Sequence, residues 1–200
     1  MRKNWAALAL TGMLCLTTFA GTQTVSAETA DSAKQVDIVF THDTHSHLNT
    51  FTTIVDEAEK EVGGFARINT LIQEQKAKNP DTLVIDGGDF SMGTLIQTVF
   101  ETQAAEIRML GYMGCDVTTL GNHEFDYRSK GLANMLNSAA ESGDNLPALV
   151  VCNVDWESME AAGLSEGQQL IRDAFDEYGV SDYVVLEKGD TDIAVVGVFG

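Results

Sequence analysis

The feature that most constrains the fold is a regular alternation of short apolar, β-branched runs with stretches whose apolar residues recur at helical spacing. Four runs predict strands, at residues 36–41, 83–85, 117–120 and 148–152. Three intervening stretches predict helices, from residue 65 to the Asn79-Pro80 pair, at 104–113 and at 130–140. Strands separated by about 30 to 45 residues with helices between them are typical of parallel βαβ units, so the sequence predicts an α/β fold.

Polar residues that can bind metals or move protons follow three of the predicted strands. They form three stretches, at residues 41–47 (Thr-His-Asp-Thr-His-Ser-His), 86–90 (Asp-Gly-Gly-Asp-Phe) and 120–126 (Leu-Gly-Asn-His-Glu-Phe-Asp). All four histidines of the chain lie in the first and third stretches. Ligands of open parallel sheets bind beyond the carboxyl ends of the strands. We therefore expect the three stretches to come together on one rim of the sheet.

The first two stretches offer ligands for a divalent cation. Asp43 and His45 are two residues apart, and in an extended backbone such residues point to the same side. Imidazole and carboxylate together suit Zn, Mn or Fe. Asp89 follows two glycines that let the backbone turn tightly, and Asp86 at the strand end is the alternative. Taken alone, each stretch also fits a solvated polar turn.

The third stretch combines a neutral ligand with a histidine and carboxylates. The amide oxygen of Asn122 can bind a cation, and His123 can reach a substrate oxygen. Asp126 can accept a hydrogen bond from the other ring nitrogen of His123 and so favour the imidazolium form. An imidazolium can stabilise the negative charge of a phosphoryl group or protonate a leaving alkoxide. Glu124 is the alternative partner. Without its neighbours, an Asn-His pair is more typical of a capping turn.

The N-terminus has the pattern of an export signal. Residues 1–27 begin with two basic residues, continue with an apolar segment at 5–20 and end with small residues that suit signal peptidase. We predict a cleaved signal peptide at 1–27 and a flexible leader at 28–35, so the protein is expected in the periplasm, at the cell wall or secreted. An uncleaved amphipathic anchor is the alternative. The apolar segment falls short of the roughly 20 residues that span a bilayer.

The charge of the chain limits its partners. The formal net charge is −18, and removal of the predicted signal peptide leaves 10 basic against 30 acidic residues. Binding to a nucleic-acid polymer needs lysine and arginine to displace counterions, so we expect no such partner. A small phosphorylated substrate is compatible with this charge when bound cations reverse the field locally.

The remaining segments give weaker signals. Residues 48–62 are acidic without a clear period and predict a surface segment. Residues 183–186 and 193–199 predict two strands that form a hairpin. Cys115 and Cys152 lie in apolar runs that favour burial, with a disulfide between them as the alternative.

Three motifs in this order resemble those of a known family. Asp43-Thr44-His45, Gly88-Asp89 and Gly121-Asn122-His123-Glu124 are similar to the motifs of calcineurin-like metallophosphoesterases. The full sequences of the first and third stretches, together with Gly63-Gly64-Phe65-Ala66-Arg67, resemble the secreted 5'-nucleotidase branch of this family. That branch includes UDP-sugar hydrolases and 2',3'-cyclic-nucleotide phosphodiesterases. The resemblance covers residues 36–200. It implies a metallophosphoesterase-type α/β/β/α sandwich that is incomplete at the C-terminus, with two divalent metal ions of the Zn, Mn or Fe kind.

The resemblance also implies roles for the metal-binding residues. Asp43 and His45 would bind the first ion. Asp89 would bridge both ions, and Asn122 would bind the second.

The catalytic residues implied by the resemblance are His123 and Asp126, which match the family's dyad. Asn153 matches a family position of less defined role. The implied reaction is hydrolysis of a nucleotide phosphate ester by a metal-bound water or hydroxide that attacks phosphorus in line.

The chain departs from this family in its histidines. The family supplies more of them, including a Gly-His-x-His motif, and a C-terminal domain that grips base and ribose, whereas no histidine follows His123 here. We therefore expect residues 36–200 to be the N-terminal part of the catalytic domain, and the chain by itself to be weakly active or inactive. The alternative functions are a metallophosphoesterase for cyclic nucleotides or UDP-sugars, and a non-catalytic extracellular module that binds cations or a partner.

Overall fold

A computed structural model describes residues 35–199. Residues from Val36 onwards belong to one structural unit. The predicted signal peptide, and all of the predicted leader except Gln35, lie outside the described residues. No helix in residues 35–199 combines the length and the apolar character needed to cross a membrane.

Strands and helices alternate along most of the described chain. The strands are β1 (Ile38–Thr41), β2 (Phe51–Val55), β3 (Ala58–Val62), β4 (Leu83–Asp86), β5 (Val117–Thr118), β6 (Ala148–Leu149), β7 (Tyr183–Lys188) and β8 (Thr191–Val196). The α-helices are α1 (Phe65–Lys78), α2 (Phe100–Gln103), α3 (Ala105–Tyr112), α4 (Arg128–Glu141), α5 (Trp156–Ala162) and α6 (Glu166–Tyr178). Two short 3₁₀ helices, Leu95–Val99 and His123–Phe125, lie in the loops that follow β4 and β5.

A parallel sheet forms the centre of the fold. Its four strands lie in the order β1-β4-β5-β6, and each neighbouring pair is parallel. The predicted α/β fold with parallel strands is thereby confirmed. Because all four strands point the same way, the loops after β1, β4 and β5 leave the sheet at the same edge.

The hydrophobic core joins this sheet to the helices. Val84 and Leu149 from the sheet share one buried cluster with Ile72, Leu110 and Leu136 from α1, α3 and α4. Burial of such apolar side chains is the main favourable term in folding. The core therefore fixes the ends of the strands relative to one another.

Helix α1 confirms the predicted helix, but the buried face that the helical spacing of its apolar residues predicts, Phe65, Ile68, Leu71 and Ile72, is wrong at Leu71. The helix ends at Lys78, before the Asn79-Pro80 pair, because the residue before a proline disfavours helical backbone. Phe65 and Ile72 are 1% exposed, but Leu71 is 58% exposed. Adjacent residues lie about 100° apart around a helix with 3.6 residues per turn, so Leu71 points away when Ile72 points inward.

Residues 48–62 contain a β-hairpin that the sequence analysis missed. Strands β2 and β3 pair antiparallel along their whole length. The turn residues Asp56 and Glu57 both have positive φ, 52° and 64°, as a two-residue hairpin turn of the primed type requires. Nearly all side chains of both strands are exposed, so the apolar alternation that marks a half-buried strand is absent.

The predicted C-terminal hairpin is confirmed. Strands β7 and β8 pair antiparallel, and burial alternates along both of them. The hairpin connects to the segment after β6 because Val150 bridges Ser181 and the N–H of Cys152 donates to Gly197 O over 2.8 Å.

The two cysteines of the described chain are free. Cys115 is buried, and burial raises the pKa of its thiol to about 12. Cys152 is half-buried. No disulfide joins them in this structure.

Candidate metal centre

The first two polar stretches run side by side beyond the ends of β1 and β4. The N–H of Asp43 donates to Gly88 O over 3.1 Å. The N–H of His45 donates to Asp89 O over 3.1 Å. These backbone bonds fix the two loops relative to each other without using any metal-binding side chain.

The backbone of the first stretch is turned rather than extended. Asp43 and His45 have φ values of 52° and 44°, a region that residues with a Cβ adopt uncommonly. The extended geometry that the sequence analysis assumed for this pair is therefore wrong. The side chain of Asp43 lies beside His42, with Oδ2 3.0 Å from the ring Nδ1.

The second stretch brings Asp89 towards the third. Gly88 has φ 86°, and a Cβ at this position would lie 2.7 Å from the backbone nitrogen of Gly121. Only glycine fits this close approach of two loops. Asp89 follows with φ 52° and stays half-buried.

Asp86, the alternative to Asp89, instead ties the strand ends together. It is 1% exposed and accepts hydrogen bonds from Thr41 Oγ1 over 2.7 Å and Thr118 Oγ1 over 3.0 Å. Burial raises the pKa of this carboxyl above its usual value. These contacts give Asp86 a role between β1, β4 and β5.

The third stretch is attached to Asp89. The N–H of His123 donates to Asp89 Oδ1 over 2.9 Å. Gly121 lies against the same carboxylate, and a Cβ there would overlap Asp89 Oδ1. Asn122 is exposed and directly precedes the 3₁₀ helix that starts at His123.

His45, Asp89 and His123 form one group, which we call the rim cluster. Their candidate ligand atoms all lie within 4.8 Å of one another. The imidazole rings of the two histidines are edge to face, with centroids 5.0 Å apart. Two imidazoles and one carboxylate are a donor set that suits Zn, Mn or Fe, so these residues fit a divalent first-row cation.

The hydrogen bonds of His45 determine which of its two ring nitrogens is available to bind a metal. Its Nδ1 lies 3.1 Å from the carbonyl oxygens of both Ser91 and Met92. Carbonyl oxygens only accept hydrogen bonds, so Nδ1 carries the hydrogen. The lone pair is then on Nε2, the arrangement that outer hydrogen bonds impose on metal-binding histidines.

His123 has a carboxylate partner three residues further along. Its Nδ1 lies 2.9 Å from Asp126 Oδ2. The hydrogen bond with Asp126 raises the pKa of His123 above its usual value, and the negative charges of Asp89 and Glu124 act in the same direction. The imidazolium form of His123 therefore persists to higher pH than that of an isolated histidine.

Two further residues singled out from the sequence lie outside the rim cluster. Asp43 is not among the three clustered residues, and its side chain is 56% exposed. Asn153 instead exchanges two hydrogen bonds with the backbone of Phe199, over 2.6 Å and 2.9 Å. In this structure Asn153 holds the end of the described chain.

Sequence reasoning missed the contacts of two buried carboxylates near the rim cluster. Glu124 is 0% exposed and accepts hydrogen bonds from the second and third stretches, while Asp126 takes the place beside His123. Glu106 is also 0% exposed and accepts from Ser46 Oγ over 2.6 Å, and burial raises its pKa. The place of Glu124 inside the third motif was a signal, but nothing in helix α3 marks Glu106.

Cavities do not by themselves indicate the rim cluster. A cavity of about 730 Å³ lies along α3 and includes Arg108 and Tyr112 but none of the three clustered residues. A smaller cavity of about 280 Å³ opens beside Asp43, Thr44 and His47. The chemistry of the side chains, rather than cavity size, identifies the candidate site.

The comparison with protein families gives one match to most of the chain. The family model of calcineurin-like phosphoesterases matches residues 36–195. This range contains the three polar stretches and every strand of the central sheet.

Relatives and solved structures agree with this match. The "Probable 5'-nucleotidase" of Treponema pallidum (strain Nichols) is 34% identical over 107 residues, which are 52% of this chain and 18% of that protein. The 5'-nucleotidase of Bos taurus is 34% identical over 168 residues, 82% of this chain and 26% of the relative. The crystal structure of a 5'-nucleotidase precursor from Thermus thermophilus superposes with a TM-score of 0.63 at 26% identity, covering 82% of this chain and 28% of that one. The chain thus spans less than a third of the length of each of these proteins.

Proposed function

The chain belongs to the calcineurin-like phosphoesterase family, and we propose that it is an exported phosphoesterase that uses two metal ions to hydrolyse nucleotide phosphate esters. The observation that carries the proposal is the rim cluster, in which His45, Asp89 and His123 come from three separate loops to within 4.8 Å. Such convergence of polar side chains at the end of a parallel sheet is typical of a ligand site, in which His45 and Asp89 would bind a cation and His123 would face the substrate.

We assign the metal-binding role to four residues. They are Asp43, His45, Asp89 and Asn122. His45 offers Nε2 because its Nδ1 is occupied by two carbonyl oxygens. Asp89 keeps Oδ2 for a cation while Oδ1 accepts from His123. Bound divalent cations would polarise the phosphate and activate the attacking water.

We assign the catalytic role to His123 and Asp126. Asp126 orients the imidazole through Nδ1 and favours its protonated form. Nε2 is then the nitrogen that can hold a proton against a phosphate oxygen or donate it to the leaving alkoxide.

The proposed substrate is a 5'-nucleotide, since the relatives compared above are 5'-nucleotidases. The net charge of −18 opposes a nucleic-acid polymer and fits a small phosphate ester that is bound through cations. The signal pattern of residues 1–27 supports export.

Hydrolysis of AMP by the purified chain, followed as phosphate release with Mn²⁺, tests this proposal. We expect weak activity, measured at high protein concentration, that EDTA abolishes and that Asp89→Asn and His123→Ala each reduce to background. His47→Ala is the matched control, because His47 lies in the first stretch but outside the rim cluster. Activity that persists in EDTA, or an equal loss in all three variants, contradicts the proposal.

Parallel assays with UDP-glucose and 2',3'-cyclic AMP distinguish the proposal from its alternatives. AMP should be hydrolysed with the highest kcat/KM. Preference for either of the other two esters would overturn the assignment to 5'-nucleotides, and Mn²⁺ binding without hydrolysis of any of the three would support the non-catalytic module.

A further inference from the structure

The carboxylate of Glu124 is the shared acceptor of two loops of the candidate site. Its Oε2 accepts from the N–H of Asp89 over 3.1 Å and from the N–H of Gly121 over 2.6 Å. Its Oε1 accepts from the N–H and the hydroxyl of Ser91, over 3.0 Å and 2.6 Å. Glu124 is 0% exposed, so water does not compete for these donors.

These hydrogen bonds act on the backbone of a candidate metal ligand. Asp89 has φ 52°, a conformation that costs a residue with a Cβ free energy unless its surroundings hold it. Glu124 holds its N–H, His45 donates to its carbonyl oxygen, and His123 donates to its Oδ1. Glu124 is thus the contact that fixes the Asp89 backbone from the interior of the protein.

We propose that Glu124 is a positioning residue that fixes the Asp89 loop against the Gly121 loop, so that the rim cluster is assembled before a cation binds. The inference rests on the proposed cation site. It assigns Glu124 no contact with cation or substrate. Removal of groups that orient metal ligands typically costs about 10- to 100-fold in metal affinity.

Two buried glutamates of the same protein provide a matched pair of variants. In Glu124 both oxygens accept from backbone N–H groups. In E124Q the side-chain NH₂ replaces one of these oxygens and must point at a backbone N–H, so that two hydrogen-bond donors oppose each other. In Glu106 only Oε1 accepts, from Ser46, and Oε2 has no partner. E106Q can therefore keep its hydrogen bond while it removes the same acidic group from an equally buried position.

Isothermal titration of the purified chain with Mn²⁺ tests the proposal. We expect E124Q to weaken Mn²⁺ affinity about 10- to 100-fold. We expect E106Q to change the affinity less than about threefold, because it keeps its hydrogen bond and orients no candidate metal ligand. Unchanged affinity in E124Q, or an equal loss in E106Q, overturns the proposal. Because the readout is binding, a wild-type chain that binds Mn²⁺ but hydrolyses no ester would count against the proposed function, and the Mn²⁺ affinities of the two variants would still decide this inference.

A second measurement does not depend on the variant folding. Hydrogen exchange of the metal-free wild-type chain should show slow exchange at the amides of Asp89, Ser91 and Gly121, because a buried acceptor protects them. Exchange at these three amides as fast as at the exposed turn residue Glu57 would overturn the proposal.

Discussion

The backbone N–H of His123 donates to the Oδ1 atom of Asp89 over 2.9 Å, although 34 positions separate the two residues in sequence. This bond links the loop after β4 to the loop after β5 on the same edge of the sheet. The backbone N–H of His45 also donates to the carbonyl oxygen of Asp89. Asp89 is therefore the residue of the second stretch that connects it to both the first and the third.

Gly121→Ala should weaken Mn²⁺ binding about 10- to 100-fold, as displacement of an oriented ligand does. The new Cβ would overlap Asp89 Oδ1 and push the carboxylate from its place. Isothermal titration measures the change. Gly167→Ala, at a position in α6 where a Cβ meets only the movable Ser129 side chain, is the control and should bind Mn²⁺ like wild type. Equal affinity in both variants would show that the position of Asp89 does not matter.

Asp126→Asn should lower the pKa of His123 towards its usual value. The hydrogen bond and negative charge of Asp126 raise this pKa, and an amide supplies no charge. The imidazolium is then lost at lower pH than in wild type. An NMR titration of the metal-free chain checks this, with Asp144→Asn, which alters the ion pair with Arg108, as the control. A pKa that stays the same or rises contradicts the assignment of Asp126 as partner.

Because of Asp86, wild type should lose stability relative to the Asp86→Asn variant as pH rises through the acid range. Burial raises its pKa in the folded state, so between the ordinary value of 3.8 and the raised value the folded state binds more protons than the unfolded state. The free energy of unfolding of wild type, minus that of Asp86→Asn, should fall as pH rises through this window and level off above it. Urea unfolding in EDTA across this range measures the difference. A difference that increases with pH would be inconsistent with burial as the dominant cause.

Leu136→Ala should destabilise the fold by about 2–5 kcal/mol, because it opens a cavity at a 0% exposed position in α4. Leu71→Ala is the matched control in α1, where the side chain is 58% exposed, and should change stability by less than about 0.5 kcal/mol. Chemical denaturation at neutral pH gives both values. Similar losses in the two variants would contradict the buried face assigned to α1.

The fold was predictable where burial dictates the sequence pattern. Strand β4 is an apolar run because Leu83 and Val84 are buried in the sheet and Ile85 is half-buried. Helix α1 ends directly before Asn79-Pro80, as the proline predicts. Strands β2 and β3 were missed because their side chains face solvent on both sides. Hydrophobic periodicity then contains no signal, and only the turn at Asp56 and Glu57 distinguishes the hairpin.

The candidate site was predictable as a location but not as a geometry. Parallel strands explain why the three polar stretches share a rim, and this needs only their order in the chain. The direction of each side chain depends on backbone conformations that the sequence does not mark, such as the positive φ of Asp43 and His45. The contacts of Glu124 depend on two loops that approach each other only in the folded state.

The most direct test of the account is a crystal structure of the chain with Mn²⁺, in which anomalous scattering locates the ions. The account predicts an ion bound by His45 and Asp89 on the rim of the sheet, with Asp43 turned from His42 towards it, and a second ion beside Asp89 and Asn122. Ions bound only elsewhere on the acidic surface, or side chains of Asp43, Asp89 and Asn122 too far apart to share neighbouring ions, would contradict it.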